Sequence, residues 1–197
     1  MFGYDAARLH AAVNDLPPVL LATAVLFDLL GAFLKRESLK AAGFWTLLFG
    51  VVGGGLAIIT GLLAKDATPH GAQAEAVMST HETLAYIVVA LFAILAIWRL
   101  IRRGVWSEKE QPIALTAGVI GIALVVVQAS FGGKLVFEHG VGIPTPAIQS
   151  ALQDRAAAAA ERVPGVPAAA PAAAPVPAPA PGTQPDSAKV DAGKRER

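Results

Sequence analysis

The stretch TLAYIVVALFAILAIWRLI, residues 83–101, carries no charged side chain before Arg99. As a helix at ~1.5 Å per residue it is ~28 Å long, close to the ~30 Å hydrocarbon core of a bilayer. A soluble helix needs a polar face for water, and this stretch has none. It is therefore a membrane span, and the rest of the chain has to be consistent with that.

Outward from it, three further apolar runs fit the same description. Residues 16–34 open on Pro17 and Pro18, which suit a first helical turn, and hold one interior charge, Asp28. Residues 41–63 carry the glycine cluster Gly50, Gly53, Gly54, Gly55 and Gly61, and residues 112–133 lead into Leu135 to Phe137. Four such runs within residues 1–143 define an all-α fold, a four-helix transmembrane bundle embedded in the lipid bilayer. Residues 1–15 lack the basic start and cleavage site of a signal peptide, so the first span is expected to be retained.

The remainder is of different material. Residues 144–163 contain the alanine run Ala156 to Ala160 and are expected to form a short helix or linker. From Pro164 to Pro185 the chain reads PGVPAAAPAAAPVPAPAPGTQP, and residues 164–197 are expected to be a disordered Pro/Ala-rich tail. Such a tail is a spacer, or an arm toward another membrane or periplasmic protein.

Basic residues give the bundle a direction. Lys35, Arg36 and Lys40 lie in the first connection, and Arg99, Arg102, Arg103 and Lys109 in or beside the third. The second connection, 64–80, has only Lys65. Four spans put the first and third connections on one side, and positive charge marks that side as cytoplasmic. The expected location is a bacterial inner (plasma) membrane, with both termini outside the cytoplasm.

Composition narrows the chemistry. The 197 residues are 54% hydrophobic with a formal net charge of +1, and no basic-aromatic stripe suggests nucleic acid. The absence of cysteine excludes disulfides, thiolate metal sites, iron–sulfur clusters and c-type haem. No nucleophile–base pair, phosphate loop or zinc-protease motif is present, so an enzymatic role has no support.

All four histidines, His10, His70, His81 and His139, map to the non-basic side of the bundle. Ser79-Thr80-His81-Glu82 has the spacing of a capping box and places His81 in the first turn of the third helix. Imidazole is a common ligand of haem iron, so His81 and His139, with His10 as substitute, are candidate ligands for a b-type haem. The bland alternative is histidine resting in the headgroup region. Asp28 is a candidate for pairing with Thr46 or a basic residue of the first connection. Thr60, Gln128 and Ser130 are candidates for interhelical hydrogen bonds or for a polar pocket below the histidines. The glycines of the second span serve close packing or make room for a flat ligand.

These residues resemble a known family. Leu9-His10-Ala11-Ala12-Val13-Asn14-Asp15-Leu16-Pro17, Phe27 to Gly31, Trp45 with the following glycines, His81, and Gly132-Gly133-Lys134-Leu135-Val136-Phe137-Glu138-His139-Gly140-Val141-Gly142 are similar to the bacterial membrane family domain of unknown function 2231. The resemblance covers about residues 9–143. It implies recurrent polar positions at His10, Asp28, His81 and His139, and a bundle similar to membrane b-type cytochromes. Ala11 and Asp15 depart from the family pattern, which often has proline and a second histidine there. Two functions follow as expectations: a binding or scaffolding membrane module with its polar site at the outer face, or a redox module carrying haem there.

Overall fold

The computed structural model describes residues 5–162. Helix α1 (Ala6–Asn14) is capped by Asp5, whose carboxylate accepts from the Arg8 amide at 2.9 Å. Asp15 separates it from α2 (Leu16–Phe33), because Pro17 and Pro18 lack the amide hydrogens that would continue the ladder of α1. Three long helices follow: α3 (Glu37–Ala67), α4 (Ala72–Ile101) and α5 (Gln111–Phe137). Together α1–α2, α3, α4 and α5 are four helical segments long and apolar enough to cross a membrane. The chain divides at Ile148/Gln149 into two units. The second is described only as the latter part of α6 (Thr145–Arg162), which includes the alanine run. The tail expected over 164–197 lies outside the described residues.

Helix α2 packs on α3 and α5, and α4 packs on the same two, which closes a ring with α2 and α4 on one diagonal. Short connections make the neighbours antiparallel, as in an up-down-up-down bundle. Leu21, Ala24, Leu47, Val88, Phe92, Leu95, Ala96, Ala114 and Val125 form the core. The large apolar side chains outside it, such as Phe33 at 84% and Phe49 at 63% exposed, face the lipid, where exposure of hydrocarbon carries no hydrophobic cost.

Glycine sets the helix separation. A Cβ on Gly50 would fall 2.7 Å from Leu21 Cδ2, and one on Gly121 would fall 2.7 Å from the Phe92 ring. Each glycine thus lets a large side chain of the neighbouring helix seat against its backbone. Gly54 does the same for Val89, whereas Gly55 meets nothing within 4 Å.

Three sequence expectations require correction. The helices overrun the apolar windows: α3 continues to Ala67 and α4 begins at Ala72, which shortens the second connection to residues 68–71. The extra turns are polar but internally paired, with Lys65 Nζ 3.0 Å from Glu82 and 3.4 Å from Glu75. A hydropathy window ends where charge begins; a helix with paired charges does not. Secondly, Ser79 caps nothing. The N-cap of α4 is Gly71, so Ser79 lies inside the helix and its carbonyl accepts from the Thr83 hydroxyl at 2.8 Å. His81 is therefore more than two turns into α4.

The third correction concerns Asp28. Thr46 bonds its own helix at Ala42 O instead. Arg99 reaches Asp28 Oδ2 at 2.5 Å, while its other nitrogens donate to the carbonyls of Gly104 (3.1 Å) and Lys40 (2.7 Å). The guanidinium also lies over the rings of Phe44 and Trp106, 5.6 and 5.5 Å from their centroids. Arg99 is 1% exposed, so its five donors need these partners. Of the two Asp28 oxygens, Oδ1 is buried without a hydrogen-bond partner and faces Gly43.

Candidate functional site

At the bundle end opposite the Asp28–Arg99 pair, the helices diverge around a cavity of about 400 Å³. Its walls come from α1, the start of α2, α3, α4, α5 and the loop at Val141 to Ile143. Most of the lining is alanine, glycine, valine, proline, isoleucine and leucine. It ends at the level of Gly54, Val88 and Val125, below which Leu21 and Phe92 are fully buried and fill the core.

Two histidines line this cavity. His10 is carried by α1, which folds against α3 because the proline break turns the chain before the first long span. Its ring rests on Gly61, where a Cβ would be 3.0 Å from His10 Cε1. His10 Nδ1 lies 3.2 Å from Thr60 Oγ1. The Thr60 hydroxyl donates its hydrogen to the α3 backbone at Leu56 O, 2.9 Å away, which leaves its oxygen to accept from Nδ1–H.

His81 rests in the same way on Gly132 of α5, where a Cβ would be 2.9 Å from its Cε1. Its Nδ1 lies 3.1 Å from the Gln128 backbone carbonyl, an acceptor only, so the proton sits on Nδ1 here as well. The Gln128 side-chain nitrogen lies beside the ring, 3.2 Å from His81 Nε2 and 3.3 Å from Nδ1. Both imidazoles are thereby oriented with Nε2 as the basic nitrogen. A carbonyl or hydroxyl on the far nitrogen is the usual support of a metal-ligating histidine.

The remaining candidates sit as follows. Thr60 and Gln128 hold the two histidines. His139 is half-buried just beyond α5, its amide bonded to Lys134 O at 3.3 Å, and it is not part of the cavity lining. Ser130 bonds its own helix at Val127 O. Asp28 belongs to the opposite end. His70 lies in the connection, where Nδ1 meets Thr68 O at 2.7 Å and Nε2 meets Glu75 at 2.6 Å. The Thr68 carbonyl first, and the Glu75 carboxylate second, raise its pKa above the usual histidine value. Among the described residues, no cluster of three or more His, Asp or Glu side chains has the form of a metal site.

Hydropathy alone hides the ionic wall beside His81. Lys65 joins Glu75 and Glu82, and Tyr86 donates to Glu82 at 3.1 Å. These residues come from two helices whose extra turns hydropathy did not reveal. The seven- and four-residue spacing of Glu75, Glu82 and Tyr86 was the available signal, since it places all three on one helix face.

Fold and site together define a small multi-pass integral membrane protein with a cavity at one end. Residues 6–145 match the family described as Predicted membrane protein (DUF2231), and the chain belongs to that family. No curated protein and no solved structure matches it.

Proposed function

We propose that this protein is a membrane-embedded binding module that holds a flat, largely apolar ligand between His10 and His81. The observation that carries the reading is the convergence of two oriented imidazoles from separate helices on one small-residue cavity. A cavity of about 400 Å³ falls within the range of small-molecule and cofactor sites, which are mostly apolar with a few placed polar groups.

The geometry favours the redox form of this reading, with a b-type haem as the ligand. Both imidazoles keep Nε2 as the electron-pair donor, the state that iron requires. His10 and His81, both in the lining, would hold the group. When bound, haem supplies one-electron chemistry. The chain's own contribution is to fix the tautomers through the Thr60 hydroxyl and the Gln128 carbonyl and to exclude water with apolar walls. His10, rather than His139, is the partner of His81 in this arrangement.

The basic connections favour an orientation with the cavity outside the cytoplasm. A reporter fused at Ser187 should be active only in its exported form; cytoplasmic activity reverses the assignment. For the ligand, the protein is expressed with added haem precursor and purified in mild detergent. A Soret band with stoichiometric iron, lost in His10→Ala and in His81→Ala, is expected. A folded, colourless, iron-free wild type overturns the haem reading.

A further inference from the structure

The two halves of the membrane domain repeat at a constant offset of 71 residues. His10 becomes His81, and Gly61, on which the first ring rests, becomes Gly132, on which the second rests. The hydrogen-bond partners of the two rings differ, a hydroxyl of Thr60 for His10 Nδ1 and the Gln128 carbonyl for His81 Nδ1. The core obeys the same register. Leu21, 0% exposed against Gly50, corresponds to Phe92, 0% exposed against Gly121. Asp28 corresponds to Arg99, its own ion-pair partner.

These correspondences involve pairs of contacts and not residue types alone. A ring on a glycine and a large side chain on a second glycine recur between the same relative helices. The first and third spans run in the same direction, as do the second and fourth. Two copies of one two-span hairpin arranged this way are related by an axis along the membrane normal, as in parallel transporter repeats. Groups that meet their own equivalents, as Asp28 meets Arg99, must lie beside that axis.

We infer that the membrane domain is a duplicated two-span hairpin, and that its cavity is a junction site to which each copy contributes one equivalent imidazole. The ligand class that fits is a metal-centred planar macrocycle, which the Nε2 of each copy would hold. This rests on the haem reading above and adds to it that neither histidine is dispensable and neither is dominant. A junction site needs both copies, so a single hairpin supplies half of the ligation.

The probe is haemin, titrated into the purified full-length protein in detergent. Wild type should give a six-coordinate, low-spin spectrum. His10→Ala and His81→Ala should each give a five-coordinate, high-spin spectrum and weaken binding by at least about tenfold, the lower bound for losing even an outer-shell partner of a metal ligand. Free imidazole should restore the low-spin form in both. Either variant remaining low-spin without imidazole overturns the equivalence while leaving haem binding intact. Failure of wild type to take up haemin overturns the haem reading and this inference together. His10→Gln and His81→Gln, checked by circular dichroism and size exclusion, guard against misfolding. A ligand-free readout is the nitrogen NMR of the two rings, which should both report protonated Nδ1; opposite tautomers would contradict equivalent roles.

Discussion

Arg99 donates to Asp28 at 2.5 Å and so ties α4 to α2, the two helices that face each other across the diagonal of the bundle. Neighbouring helices are held by packed side chains along their length, but this diagonal is fastened by a charge pair. Arg99 also grips the first turn of α3 through Lys40 O and the third connection through Gly104 O. One guanidinium therefore gathers three parts of the chain.

Removing one partner leaves the other buried and uncompensated. Arg99→Leu and Asp28→Leu should each destabilise the fold by ~3–5 kcal/mol, measured by reversible unfolding in detergent. The exchanged pair Asp28→Arg with Arg99→Asp should be more stable than Asp28→Arg alone, because the two positions are equivalents beside one axis. An exchanged protein no more stable than that single variant would count against equivalence.

Gly121→Ala places a methyl group 2.7 Å from the Phe92 ring, tighter than packed atoms tolerate. Overpacking of this kind costs ~1–3 kcal/mol. Phe92→Ala removes the ring atoms that the added methyl meets, so Gly121→Ala should cost less in that background than in wild type. Unfolding of the double variant measures this; strict additivity of the two single effects would refute the contact.

Ser79→Ala is expected to change stability by less than ~0.5 kcal/mol, the usual range for sites without a special role. Loss of a true N-cap costs ~1 kcal/mol. Thermal unfolding of this one variant separates the two, and a loss near the larger figure would restore the capping box.

His70 gives a pH dependence of determined sign. Its folded pKa is raised above 6.5 by the Thr68 carbonyl and by Glu75. The contribution is fully present below about pH 6.5 and fades as pH rises through the folded value. Amide exchange in residues 68–71, corrected for intrinsic rates, should accelerate between about pH 6 and pH 9 in wild type. In His70→Gln that extra acceleration should vanish. Equal pH profiles in the two proteins would exclude the histidine as the cause.

Glu110 gives the opposite sign. Hydrogen bonds from Ser107, then from Trp98, with the charge of Arg102, lower its pKa to about 2. Its contribution is present above the usual glutamate value and is lost as pH falls toward about 2. Trp98, bonded to this carboxylate at 3.3 Å, supplies the readout. Its fluorescence should shift in that acid range in wild type and not in Glu110→Gln.

Much of the fold was legible because the membrane imposes it. Leu84 to Trp98 can be satisfied only by a helix in lipid, and Pro17 and Pro18 mark a helix start whatever follows. Helix ends were less legible: Lys65, Glu75 and Glu82 look like loop residues until their mutual pairing is seen. The site was legible in parts. His10, His81, Thr60 and Gln128 stood out singly, yet which of them meet depends on α1 folding over α3, and no local pattern encodes that. Asp28 announced a partner without naming it, because Arg99 is distant in sequence and sits where spans usually carry topology-setting charge. The 71-residue register was present in the sequence throughout. It is carried by which contacts recur, and with so few identical residues it becomes visible only once each side chain has a neighbour.

The fully buried layer of Leu21 and Phe92 has a consequence for traffic. It stands between the cavity and the charge pair as a solid floor, so the hollow is a cup and not a passage. Whatever occupies it arrives and departs through the same opening or sideways from the lipid. Water and ions find no path through that layer from the cavity to the charge pair.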